Sequence, residues 1–90
     1  MSVGVKDISR LRLFAANLNQ AGNDLSSTIQ TLNAQLRFVL EIWDDTKARS
    51  FASDFEPRRA QVVRLAQEMQ EFSSYINRYC EKLEEAQNIR

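Results

Sequence analysis

Residues 41–51, EIWDDTKARSF, interrupt a helical pattern near the middle of a 90-residue chain. Before them, apolar residues repeat with alternating spacings of three and four. One series is Ile8, Ala15, Gly22, Ile29, Leu36 and Trp43, and the other is Leu11, Leu18, Leu25, Leu32 and Val39. This spacing predicts a helix over about residues 8–43 that packs at a shallow angle against neighbouring helices.

After the interruption the apolar repeat restarts in a new phase. Its two series are Ala48, Phe55, Val62, Met69, Ile76 and Leu83, and Phe51, Leu65, Phe72, Tyr79 and Ala86, with Arg58 interrupting the second. We therefore expect a second helix over about 46–87. Proline lacks an amide hydrogen, so Pro57 predicts either a kink near residue 57 or a new helix start near Asp54. The unchanged heptad phase favours the kink.

The residues between the two repeats predict a tight corner over 43–46. Asp44 or Asp45 can accept hydrogen bonds from the first free amides of the second helix, as an N-cap does. Trp43, as the last residue of the first series, is expected to close the end of the structure over Phe51 or Ala48. The short turn makes the helices antiparallel, so the chain is predicted to be one all-α hairpin domain, residues 1–90.

A chain of this size buries only about 60–65% of its surface, so an isolated fold is marginal without a disulfide, a metal or association. Cys80 is the only cysteine, and there is no histidine. Cys80 is expected to be a small, partly buried apolar residue. We therefore expect association of hairpins into a four-helix bundle. The candidate dimer interface lies on the first helix, at Ala15, Leu18, Gly22, Leu25, Ile29 and Leu32.

Gly22 is the most informative of these residues, because glycine inside a helix costs about 1 kcal/mol relative to alanine. Close approach of another helix would compensate, and either the second helix of the same chain or a second molecule could provide it. The bulk argument favours a second molecule. A separate outer face for a partner is predicted on the opposite side of the first helix, at Leu13, Ala34 and Phe38.

The residue types present also exclude several functions. Without histidine or a glycine-rich phosphate loop, we expect no enzyme, no metal site and no cofactor. The formal net charge is zero, so no nucleic acid is expected as partner. No apolar run is long enough for stable membrane insertion. The first residues, MSVGVKD, contain no apolar core of a cleavable signal peptide.

The corner carries a resemblance to a known family. Trp43-Asp44-Asp45 followed by Ala48 and Phe51 is similar to W-x-G-x-x-A-x-x-F of the W-x-G family, the early-secreted-antigen-like substrates of type VII secretion. Asp45 stands at the glycine position. The family's C-terminal export signal, a tyrosine followed four residues later by an acid, is not matched, since Leu83 stands four residues after Tyr79.

The resemblance implies a helical hairpin that dimerises into a four-helix bundle, with itself or with a paralogous hairpin. It also implies export without a cleavable signal peptide and recognition by a secretion ATPase. The expected function is thus a non-enzymatic protein secreted by, or associated with, a type VII-like system. The alternative is a cytoplasmic coiled-coil adaptor or chaperone-like subunit that is not exported. A filament-forming needle subunit is less favoured, because the corner has no proline.

Overall fold

A computed structural model describes residues 6–88, which form a hairpin of two long α-helices, α1 over Ile8–Leu40 and α2 over Thr46–Asn88. The rod measures 69 × 18 × 15 Å. The predicted all-α hairpin is confirmed in this part of the chain. Residues 1–5 and 89–90 of the predicted domain lie outside the described residues.

Asp7 begins α1 as its N-cap. Its Oδ1 accepts a hydrogen bond from the Ser9 hydroxyl at 2.8 Å and another from the backbone N–H of Arg10 at 3.0 Å. These bonds, the Ser9 hydroxyl first, lower the pKa of Asp7 below its ordinary value. The ionised carboxylate therefore satisfies a free amide and meets the positive end of the helix dipole.

α1 ends at Leu40, three residues before the predicted end at Trp43. The backbone N–H groups of Glu41 and Ile42 donate to carbonyls three residues back, at 3.2 and 3.0 Å. Such bonds tighten the last turn and end the helix. The apolar repeat continues through Trp43, so periodicity alone does not mark this end.

α2 begins at Thr46, and Asp45 is the aspartate that caps it. The Asp45 Oδ1 accepts a hydrogen bond from the backbone N–H of Ala48 at 2.8 Å. Asp44 instead pairs with the side chain of Arg49. The two aspartates therefore have different roles, and only one satisfies a free amide of α2.

α2 runs through Pro57 as a single helix, so a separate helix start near Asp54 is wrong. Pro57 has no amide hydrogen, so the carbonyl of Ser53, four residues earlier, lacks its usual hydrogen-bond donor. Both residues are exposed. Water can therefore satisfy that carbonyl. The predicted kink near residue 57 stays a prediction.

Small residues make the contact between the two helices. On α2 they are Ala52, Ala66, Ser73 and Cys80, which belong to one series with a spacing of seven residues. We call this series the small line; Arg59 stands between Ala52 and Ala66 in it. A Cβ added to Gly22 of α1 would lie 3.0 Å from the carbonyl oxygen of Ala66. The Ser73 hydroxyl donates a 2.7 Å hydrogen bond to the carbonyl oxygen of Ala15. The helices thus approach closely enough for side chains to contact the opposite backbone.

The second predicted series of α2 does not make this contact. Its Phe51, Leu65 and Phe72 each remain at least half exposed, while the residue directly after each one packs towards α1. We call Phe51, Arg58, Leu65, Phe72 and Tyr79 the large line. In α1, Leu32 and Val39 also lie outside the contact, because residues spaced by seven rotate around a straight helix by about 20° per heptad.

Candidate partner-binding surface

An apolar groove of about 240 Å³ opens between the helices near the corner. The groove is lined by Leu32, Gln35, Leu36 and Val39 of α1 and by Phe51 and Phe55 of α2. The rings of Phe51 and Phe55 stack with centroids 5.7 Å apart. Because Leu32, Val39 and Phe51 line one groove, the exposed apolar sides of both helices lie on the same side of the hairpin here.

The same side continues towards the open end of the hairpin. Leu65 and Phe72 are exposed as Phe51 is, and each is followed by a residue that packs towards α1, so they lie on the same side of the helix contact as Phe51. The rings of Phe72, Tyr75 and Tyr79 form a stack with centroid separations of 5.8 and 6.2 Å. We call this surface the open face. Its apolar residues, each between 38% and 59% exposed, are Phe14, Leu32 and Val39 of α1 and Phe51, Leu65 and Phe72 of α2.

The predicted dimer candidates separate into two groups. Ala15 and Gly22 are buried against α2 of the same chain, so α2 already makes the contact for which a second molecule was favoured. The chain's own second helix provides the close approach that Gly22 permits. Leu18, Leu25 and Ile29 are partly buried, and Leu32 is about half exposed on the open face. For these four a role in association stays a prediction.

The corner motif is also arranged differently from the prediction. Trp43 keeps 54% of its surface exposed, so it does not enclose the end of the hairpin. Ala48 is buried at the helix contact, and Phe51 lines the groove. Trp43 lies after the end of α1 beside Ile42, which is even more exposed. The corner therefore presents large apolar side chains to solvent.

The predicted outer face, Leu13, Ala34 and Phe38, is exposed. Leu13 and Phe38 are 25 residues apart on one helix, about 38 Å, so they do not form one patch. Phe38 instead lies one turn before Ile42, near the corner. Ile42 and Phe14 were not among the predicted site residues. Both are large apolar residues outside the two heptad series, and that position is the signal that would have marked them.

Charged side chains at the surface form ion pairs both between the helices and within α2. Arg12 of α1 donates a 2.5 Å hydrogen bond to Glu84 of α2, which raises the pKa of Arg12. Arg59 bonds to Glu56 within α2 and lowers the pKa of that carboxyl. Within residues 6–88, no three acidic or cysteine side chains lie together as a metal site would require.

Neither helix, over the part of the chain described, is long and apolar enough to cross a membrane. Cys80 is fully buried between the helices with Ala15 and Ile76, more deeply than expected.

The comparisons with known proteins agree with this architecture. The family model described as a WXG100 like domain matches residues 6–89, nearly the whole chain. No curated protein and no solved structure matches it. The matched segment includes both helices, the corner with Trp43 and the open face. The chain belongs to the WXG100 family of small helical proteins associated with type VII secretion.

Proposed function

We propose that this chain is a non-enzymatic, partner-binding protein of a type VII-like secretion system, which associates through its open face into a four-helix bundle and is exported. The observation that carries the proposal is the open face itself. Six large apolar side chains, each between 38% and 59% exposed, lie along one side of the hairpin. Exposed apolar surface of this extent is typical of a binding site.

The total exposed surface supports association. A compact monomer of 10.4 kDa exposes about 5,400 Å², whereas this hairpin exposes 7153 Å². The excess is about twice the 800 Å² that each partner buries in a complex of standard size. Covering the open face with another hairpin would bring the exposed surface towards that of an ordinary globular protein.

The exposed corner supports recognition by a secretion component. Trp43, Ile42 and Phe38 present apolar surface at the end of the rod. They lie outside the open face and would stay accessible in a four-helix bundle. We therefore assign this corner to contact with the secretion ATPase, and the open face to the partner hairpin.

The test compares culture supernatant with cell pellet, in strains with and without the secretion ATPase. We expect the protein in the supernatant only when the ATPase is present. Trp43→Ala should reduce export while the helical signal remains, because the side chain is half exposed and its loss costs the fold only about 1–2 kcal/mol. Leu13→Ala, an exposed truncation far from the corner, is the control and should be exported normally.

Two results would contradict the proposal. Protein found only in the pellet of both strains would favour the adaptor that is not exported. Export that needs the ATPase but is unchanged by Trp43→Ala would remove the corner from recognition and leave the secretion role intact.

A further inference from the structure

We propose that the apolar groove near the corner binds a medium-chain fatty acid, whose alkyl chain lies in the groove and whose carboxylate pairs with Arg58. This inference goes beyond the proposed association of hairpins. It assigns a small-molecule ligand to the recess between the two helices, beneath the surface on which a partner hairpin would pack.

The shape of the groove fits a thin apolar chain. Its volume is about 240 Å³, and its α1 wall extends from Leu32 to Val39, about 10 Å along the rod. Ala48 and Ala52 pack towards α1 at this end of the hairpin, so the two helices stay in contact below the groove. A partner helix is about 10–12 Å across with its side chains. Such a helix can cover the groove but cannot enter it.

The lining of the groove favours an alkyl chain over an extended peptide. Among the six lining side chains only Gln35 is polar. A peptide would bring backbone N–H and C=O groups into the groove, where one amide side chain cannot satisfy them. An alkyl chain carries no polar group, and each of its methylenes gains by leaving water.

Arg58 lies at one end of the groove. It follows Phe55 by three residues and Phe51 by seven, so it stands on the same side of α2 as these two rings, one turn beyond Phe55. Leu32 lines the groove together with Phe55. Because the helices are antiparallel, Arg58 therefore stands beside the end of the groove that is farther from the corner.

The guanidinium of Arg58 can select an anionic head group. Within residues 6–88 no carboxylate forms an ion pair with it, although Asp54 stands one turn earlier on α2. The neighbouring Arg59 pairs with Glu56. A guanidinium offers parallel N–H donors that match the two oxygens of a carboxylate. One cation on an otherwise apolar line thus complements a ligand that is apolar along its length and anionic at one end.

Lys47 is a second cation near the groove, at its corner end. It stands one turn before Phe51 and closely follows Asp44 and Asp45. The negative charges of these aspartates disfavour an anion at that end. We therefore assign the carboxylate to Arg58 and place the methyl end of the alkyl chain towards the corner.

The first experiment measures binding of fatty acids to the full chain by isothermal titration calorimetry, below the concentration at which they form micelles. Affinity should rise about fivefold from hexanoate to octanoate and again to decanoate, because each added methylene is partly removed from water. Decyltrimethylammonium has the chain length of decanoate but a cationic head, and it should bind at least about tenfold more weakly. Affinity that does not depend on chain length would overturn the groove as the site, and equal affinity for the two heads would overturn the role of Arg58.

The second experiment tests the two parts of the site with variants. Arg58→Gln should weaken decanoate binding about tenfold. Arg64→Gln is the matched control, since Arg64 is exposed and turned by about 120° around α2 from Arg58, and it should leave binding unchanged. Val39→Asp should abolish binding while the helical signal remains, because Val39 is 38% exposed. A loss in Lys47→Gln but not in Arg58→Gln would reverse the orientation of the ligand and overturn the assignment.

The outcomes also separate this inference from the proposed function. Phe72→Glu places a charge on the open face far from the groove, so it should weaken association and leave decanoate binding within about twofold. Export and association without any binding of decanoate would overturn this inference alone and leave the groove as part of the surface that a partner hairpin covers. Decanoate binding by a chain that neither associates nor is exported would overturn the proposed function and keep the ligand site.

Discussion

α2 carries two heptad lines that are one residue apart in sequence and have opposite surroundings. The large line includes Phe51, Leu65 and Phe72, which remain about half exposed. Each is followed directly by a member of the small line, Ala52, Ala66 or Ser73, which packs towards α1. Both lines have the spacing of a helix contact, so spacing does not distinguish them. Side-chain size does, because the two helix backbones can approach closely only across small residues.

The comparison also separates folding from association. The small line and Gly22 determine how closely the two helices of one chain pack. The large line leaves most of its apolar surface for another molecule. We therefore expect substitutions on the small line to lower the stability of the hairpin itself, and substitutions on the large line to act mainly on association.

The largest expected effect comes from Gly22→Leu. The added Cβ would lie 3.0 Å from the backbone carbonyl of Ala66 and 3.2 Å from Cγ of Gln70, and the carbonyl cannot move without shifting α2. The gain in helix propensity, about 1 kcal/mol, does not offset this overpacking. We expect a net loss of about 1–2 kcal/mol in the free energy of unfolding, measured by urea titration of the helical signal.

Ser27→Leu is the control for this substitution. It introduces the same side chain on the exposed side of α1, and its effect should stay within about 0.5 kcal/mol. Equal stability of the Gly22→Leu protein and wild type would show that the helices are not held at the distance described. If the Gly22→Leu hairpin were fully stable but formed a weaker dimer, Gly22 would lie at the interface between molecules.

A smaller effect is expected from Ser73→Ala. The Ser73 hydroxyl is buried and donates to the carbonyl oxygen of Ala15 at 2.7 Å. Loss of such a hydrogen bond costs about 1 kcal/mol net, since the carbonyl keeps its partner within α1. Ser74→Ala removes a hydroxyl from the exposed side of α2 and should be nearly neutral. Similar unfolding curves for the two variants would mean that the buried bond contributes nothing.

Much of this architecture could be predicted from the sequence, whereas the residues that make the contact between the two helices could not. The apolar period predicted the two helices, and the aspartates predicted a capped corner. The period could not show which of two adjacent lines on α2 contacts α1, because both are compatible with a spacing of seven. The prediction followed Phe51 and Leu65, on the assumption that large apolar residues are the ones buried.

The same assumption led to the expectation that Trp43 is enclosed, whereas Gly22 was placed by a different argument. Trp43 was expected to be enclosed because it is large and continues the repeat, but α1 ends at Leu40 and leaves it in the turn. For Gly22, either the second helix or a second molecule was expected to provide the close contact, and the second molecule was favoured because a chain of this size was expected to be only marginally stable alone. Backbone hydrogen bonds at the corner and the small residues of α2 decide both cases, and each depends on the three-dimensional packing.

The most direct comparison of the two lines uses neighbouring residues and changes stability least. In a Cys80→Ala background, Phe72→Cys and Ser73→Cys place a thiol on the large and the small line, one residue apart. Phe72 is 52% exposed, whereas Ser73 is buried.

At concentrations below dimer formation, the thiol at position 72 should react with a thiol reagent at the rate of an unfolded control. The thiol at position 73 should react at least about tenfold more slowly, because its reaction requires the hairpin to open. Cys80 of the unaltered chain should be protected in the same way and should not form disulfides between molecules. Equal rates at positions 72 and 73 would mean that the two lines do not differ in exposure, and that the close contact between α1 and α2 does not persist in solution.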